Sequence, residues 1–184
     1  MRARHETPAG SGSAPEGFAD LYERHFADIY RYIAGRLGRN VADDIAADTF
    51  VIALRKHADF DPGRGPVRAW LYGIATNLVA QHRRAEKRRY QALARAGAQE
   101  LAAGHDSNPG PGAAGEGMQP RLARALARLS QEERDVLLLV ALVDLSYQEI
   151  SQALGIPDGT VGSRLNRARR KIRAALDQEG QADE

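Results

Sequence analysis

The residue types best suited to chemistry lie in the stretch Leu145 to Ile172, LSYQEISQALGIPDGTVGSRLNRARRKI. Arg164, Arg167, Arg169, Arg170 and Lys171 follow one another there, Arg173 comes next, and Ser163 and Asn166 stand among them. Asn and Arg side chains can form paired hydrogen bonds with base edges in a DNA major groove. Arg and Lys further out neutralise phosphates. Such groups need a rigid carrier, and the spacing supplies one. Ser146 and Glu149 form a capping box that starts a helix, Gly155 ends it, and Pro157 suits the start of the next. Helix, glycine-containing turn, helix is the helix-turn-helix pattern. At about 100° per residue, Val161, Leu165, Ala168 and Ile172 share the inner face of the second helix, against Ile150 and Leu154. Its opposite face carries Gly159, Ser163, Asn166, Arg167 and Arg170. A basic helical face alone often means only a solvated surface. The second capping box at Ser130 and Glu133, the glycine turn and the core-facing row together point to duplex DNA.

A second basic run, Arg83, Arg84, Lys87, Arg88 and Arg89, falls within seven positions. Acidic residues from Glu16 to Asp61 precede it, among them Asp43, Asp44 and Asp48. The net charge is only +2, with a pI near 9.1, so this distribution matters more than the sum. It suggests two kinds of partner surface. Other chemistry finds little support. DDIAAD, Asp43 to Asp48, faintly resembles an aspartate-rich magnesium motif, but it has one residue too many and no second copy. The chain has no phosphate-loop, HExxH or GxSxG motif. Its five histidines have no ligand spacing, so neither metal nor cofactor is expected, and enzyme activity is not expected either. There is no cysteine, which fits a reducing cytosol. No apolar run reaches membrane-span length, and the N-terminus has no signal-peptide core. A cytoplasmic protein without membrane insertion is expected.

The elements that must carry these groups read as helices throughout. Phe18, Leu21, Tyr22, His25, Ile29, Ile33 and Leu37 recur at spacings of three and four, and Gly38 follows as a stop. A second helix is expected from about Val41 to His57, then the breaker FDPGRGP, then a third helix from Val67 into the basic run. The segment GAQELAAGHDSNPGPGAAGEGMQ has almost no large apolar residue and reads as a flexible linker. Helices resume at Pro120, and the apolar run DVLLLVALV is expected to form the core helix of the second unit. The expectation is an all-α chain of two small domains, 16–90 and 120–177. A linker at 91–119 joins them, with tails at 1–15 and 178–184.

LSYQEISQALGIPDGTVGSRLNRARRKIRAAL closely resembles the C-terminal promoter-reading segment of extracytoplasmic-function sigma factors, initiation subunits of bacterial RNA polymerase. ADDIAADTFVIALRKHADFDPGRGPVRAWLYGIATNLVAQHRRAEKRR resembles their N-terminal segment, and both occur in the family's order. The resemblance implies a factor that directs core polymerase to promoters and helps to melt them. Asp44 and Asp48 would bind the coiled coil of the largest subunit, and the second domain would meet the polymerase flap. FDPGRGPVRAW falls where the family captures a base flipped from the minus-10 element. Arg64 and Arg68 would hold phosphates there, with Gly63 and Gly65 allowing close backbone approach. Trp70 could stack on a base, although a Trp in an apolar row is more often core. Asn77 would face promoter DNA, and Arg83, Arg84 and Arg88 would track its backbone. Ser163, Asn166 and Arg167 match the readers of the minus-35 element, flanked by Arg164 and Arg170. Ala47 and Gly162 depart from the family pattern, which often has Gln at the first position and Arg or Lys at the second. An anti-sigma protein is the further partner implied. No additional domain is expected between the two or ahead of the first. The competing assignment is a free-standing helix-turn-helix regulator, which leaves the acidic helix, the Gly/Pro loop and the first basic run unexplained as a set.

Overall fold

The computed structural model describes residues 17–97 and 120–180, and these are helical with no β-strand among them. The expected N-terminal tail, residues 181–184 of the expected C-terminal tail and most of the expected linker lie outside these residues. The first half comprises α1 (Phe18–Leu37), α2 (Arg39–Arg55), a short 3-10 turn (His57–Asp59) and α3 (Val67–Gly97). The second comprises α4 (Pro120–Ala127), α5 (Gln131–Val143), α6 (Tyr147–Leu154) and α7 (Asp158–Gly180). Helix α2 begins and ends about two residues earlier than its periodicity suggested. Helix α3 continues to Gly97, through the first part of the expected linker, and α7 runs past 177 to Gly180. Apolar periodicity marks where a helix is buried, and a helix of good formers continues beyond that point.

Each stop and start has a local cause. Gly38 takes a positive φ of 86° and its N–H closes on the Ala34 carbonyl at 2.9 Å, which ends α1. Ser130 and Ser146 each cap a helix, and Glu133 and Glu149 return a carboxylate to the cap N–H at 3.0 and 2.8 Å. Asp144 ends α5 in the left-handed region, which a short polar side chain tolerates. Small residues on α2 (Ala42, Ala46, Thr49, Ala53) are fully buried and let α1 and α3 come close. Tyr22, Phe26 and Phe50 fill the gap between α1 and α2 with edge-on and tilted ring contacts. In the second half, Val136, Leu139, Ile150, Val161 and Leu165 are completely buried. Helix α5 is less enclosed than its composition suggested, because Leu142 is 58% exposed.

The two halves pack on one another, α3 against α6, and one apolar cluster runs through both. Gly73 makes the approach possible, since a Cβ there would collide with the Ala153 carbonyl oxygen. In the Gly/Pro loop, the end of the Gln152 side chain lies where a Cβ on Gly65 would stand. A buried ion pair between Arg36 and Asp135 joins α1 to α5 across the seam. Tyr32 accepts a hydrogen bond from Arg36 at 2.6 Å and shares another with Thr76 at 2.8 Å.

Candidate nucleic-acid interface

Helix α7 separates its faces as its spacing predicted. Val161, Leu165 and Ala168 are buried, and Ile172 is half-buried. Ser163, Asn166, Arg167 and Arg170 are exposed, and Arg164 is half-buried at the edge. Ser163 donates to the Thr160 carbonyl at 3.1 Å, which holds its hydroxyl close to the helix. Ser130, Glu132, Glu133, Arg164 and Arg167 line a small cleft beside this face. Lys171 donates to Glu133 at 2.8 Å and thereby ties the start of α5 to α7. That bond, together with the Ser130 cap, holds the Glu133 carboxyl below the usual carboxylate range. A basic helix secured by an apolar edge and by one ion pair keeps its outer charges pointing away from the protein.

The first half arranges its charges differently. Asp44 and Asp48 are exposed on α2, one turn apart, with Ala47 and the 44%-exposed Val51 on the same side. Arg64, Asn77, Arg84 and Arg88 are exposed. Arg68 is half-buried and donates to the Val143 carbonyl at the end of α5. Arg83 is half-buried and donates to the Arg36 carbonyl at 2.6 Å. Burial, with Arg134 and Arg36 close by, brings the Arg83 guanidinium down to about 10. Trp70 is half-buried and packs on Phe60 at 5.2 Å between ring centroids, so it sits at the margin of the core. The structure therefore does not gather the expected minus-10 residues on one open face. Arg68 and Arg83 turn into the seam, and Gly65 is approached by Gln152.

Known proteins share both the order and the shape of these parts. Residues 21–89 match the Sigma-70 region 2 family and residues 120–172 the Sigma-70, region 4 family. The RNA polymerase sigma factor CnrH of Cupriavidus metallidurans is 39% identical over 141 residues, 73% of each chain. The ECF RNA polymerase sigma factor SigC of Mycobacterium tuberculosis is 31% identical over 160 residues, 87% of this chain and 82% of that one. This chain belongs to the extracytoplasmic-function family of RNA polymerase sigma factors. The solved structure of CnrH in complex with the cytosolic domain of CnrY superposes with a TM-score of 0.62 at 30% identity, covering 91% of this chain and 92% of that one. RpoE of Bartonella quintana, in complex with the anti-sigma factor NepR, shares the fold at 22% identity with a TM-score of 0.64, covering 88% of this chain and 98% of that one. The protein therefore acts in promoter-specific transcription initiation and binds RNA polymerase and promoter DNA, and sigma factors do so as regulators rather than enzymes.

Several residues that organise this sigma factor escaped the sequence reading. Arg36 and Asp135 carry no local signal of a role, yet both are buried, and Glu133, expected only as a helix cap, is buried as well and also holds Lys171. Their partners lie 99 residues apart for Arg36 and Asp135, and 38 apart for Glu133 and Lys171, so no local periodicity relates them. Tyr147 was passed over as well, although it follows the Ser146 cap and stands against α7 at Gly162. Among the described residues, no group of three or more His, Cys, Asp or Glu side chains is placed to hold a metal. No described helix is long and apolar enough to cross a membrane.

Proposed function

We propose that this sigma factor reads the minus-35 duplex with Ser163, Asn166 and Arg167, using Arg164 and Arg170 on the flanking backbone. Asp44 and Asp48 dock it on the coiled coil of the largest polymerase subunit, and the second domain meets the flap. The minus-10 region is held and melted along α3 and the loop before it, by Arg64, Arg68, Asn77, Arg83, Arg84 and Arg88, with Trp70 as a stacking surface at its margin. The factor performs no catalysis of its own and works in the cytoplasm. The two domains are 16–90 and 120–177. One observation carries this reading: the outer face of α7 is basic and open while Val161, Leu165 and Ala168 of its inner face are buried. A helix so presented fits a major groove, and the acidic face of α2 supplies a separate surface for a basic coiled coil. Arg68 is bonded to the other half and reaches DNA after the halves part on the polymerase, whereas Arg83 must also leave the Arg36 carbonyl of its own half. An anti-sigma protein is a further proposed partner, because RpoE was solved in complex with the anti-sigma factor NepR and CnrH in complex with the cytosolic domain of CnrY.

The test is co-elution with core RNA polymerase on a sizing column, followed by transcription from genomic fragments. Stable association and new, discrete start sites are expected. Asp44→Arg should abolish association while leaving the helical content and unfolding transition unchanged. Normal assembly by that variant would remove the docking face from α2. Tight, sequence-specific duplex binding by the isolated chain, without polymerase association, would instead favour a free-standing regulator.

A further inference from the structure

Gly162 lies inside the recognition helix, four residues beyond its first position. A glycine there costs about 1 kcal/mol of helix stability relative to alanine. The fold does not require it. Gly162 is not among the residues with positive φ. A Cβ built there would meet only the Tyr147 ring, at 3.8 Å from Cε2, which is ordinary contact. Gly73 shows what a required glycine looks like, because a Cβ there would collide with the backbone of another helix. The space beside Gly162 therefore admits a methyl-sized group in ordinary contact with the Tyr147 ring, and it lies on the working side of α7. At about 100° per residue, Gly162 is about 40° around the helix from Asn166. The wall of this space is the Tyr147 ring, 44% exposed at the first turn of α6.

We propose that Gly162 and Tyr147 form a specificity pair at the edge of the minus-35 surface. The missing side chain opens a slot between α6 and α7, and the Tyr147 ring gives that slot an apolar wall. The group that fits it in a major groove is the C5-methyl of a thymine, the one apolar feature that base edges present there. A long cation at position 162 would lie across the ring and fill the slot with charge. One base pair next to the Asn166 contact is thus selected by a methyl group rather than by a hydrogen bond. This inference rests on the proposed reading of the minus-35 element by Ser163, Asn166 and Arg167.

The probe is a uracil scan. In a promoter found by the transcription experiment, each thymine of the minus-35 element is replaced in turn by uracil, which removes only the methyl. Binding by the assembled holoenzyme is then measured. At one position the loss should be about fourfold, the size expected for a single buried methyl. Tyr147→Ala should abolish that sensitivity and leave the others unchanged. Gly162→Ala should weaken it while raising the thermal midpoint, which separates the effect from misfolding. A flat scan, or a sensitivity that persists in Tyr147→Ala, overturns the slot. Arg167→Ala distinguishes the two levels of failure. If it changes base preference while the uracil scan is flat, only the slot is wrong. If it leaves base preference untouched, the minus-35 reading fails and the slot falls with it.

Discussion

The two halves of this sigma factor each carry a long basic helix, and they hold its charges in opposite ways. Helix α7 spends its apolar edge on packing and leaves Arg167 and Arg170 exposed. Helix α3 commits Arg68 and Arg83 to backbone carbonyls of Val143 and Arg36, with α6 lying along its side. One basic surface is ready to meet DNA, while the other is partly closed by its own chain. The difference teaches that clustered arginines do not by themselves define a nucleic-acid surface. What faces them decides, because a guanidinium in contact with a carbonyl is desolvated and directional.

The seam is where this comparison is most easily broken. Asp135→Ala leaves Arg36 buried without its carboxylate, and Arg83 and Arg134 stand nearby to worsen the repulsion. Removing one partner of a buried pair costs about 3–5 kcal/mol. Urea unfolding should show a loss in that range. A loss below about 1 kcal/mol would show that the pair is solvated and that the halves are not joined through it. Replacing Gly73 should open the same seam from the other side. Gly73→Ala drives a methyl into the Ala153 carbonyl, and overpacking of this kind costs about 1–3 kcal/mol. Small-angle scattering should report a larger radius of gyration, and hydrogen exchange should speed up in α6. Unchanged exchange would mean that α3 and α6 separate freely already, which would remove the contrast between the two basic helices.

Smaller effects sharpen the account of α7. Ser146→Ala removes the cap of α6, worth about 1 kcal/mol, and should lower the thermal midpoint without altering the polymerase association. The Glu133–Lys171 bond sets the smallest and most conditional effect. The folded state depresses the Glu133 pKa below its ordinary 4.5, so the stabilisation is fully present above that pH and is lost as pH falls through the folded value. Stability measured from pH 6 downward should therefore decline below about 4.5, and Glu133→Gln should decline less over the same interval. Equal acid sensitivity in both proteins would show that the bond contributes nothing to holding α7.

Much of the architecture was legible from residue order. The capping boxes at Ser130 and Ser146 work through neighbours three residues away, and the inner row of α7 follows from 100° spacing, so both are local facts. The family segments were legible for the same reason, since helix, loop and turn residues recur at fixed spacing. The exposure of Ser163, Asn166 and Arg167 followed from the burial of Val161, Leu165 and Ala168. Exposure of Arg68 and Arg83 could not be read in that way. Their neighbours in the chain are ordinary for a solvated helix, and their partners belong to distant elements.

Sequence alone therefore determined which segments are helices, where the capped ones begin, and which edge of the recognition helix turns inward. These depend on interactions within a few residues, where chain geometry leaves little choice. Only the tertiary structure decided that α3 packs on α6, that Arg36 and Asp135 pair across the seam, and that a Cβ fits beside the Tyr147 ring at Gly162 while none fits at Gly73. Those outcomes depend on which surfaces meet, and a one-dimensional pattern does not encode the contact between residues 99 positions apart.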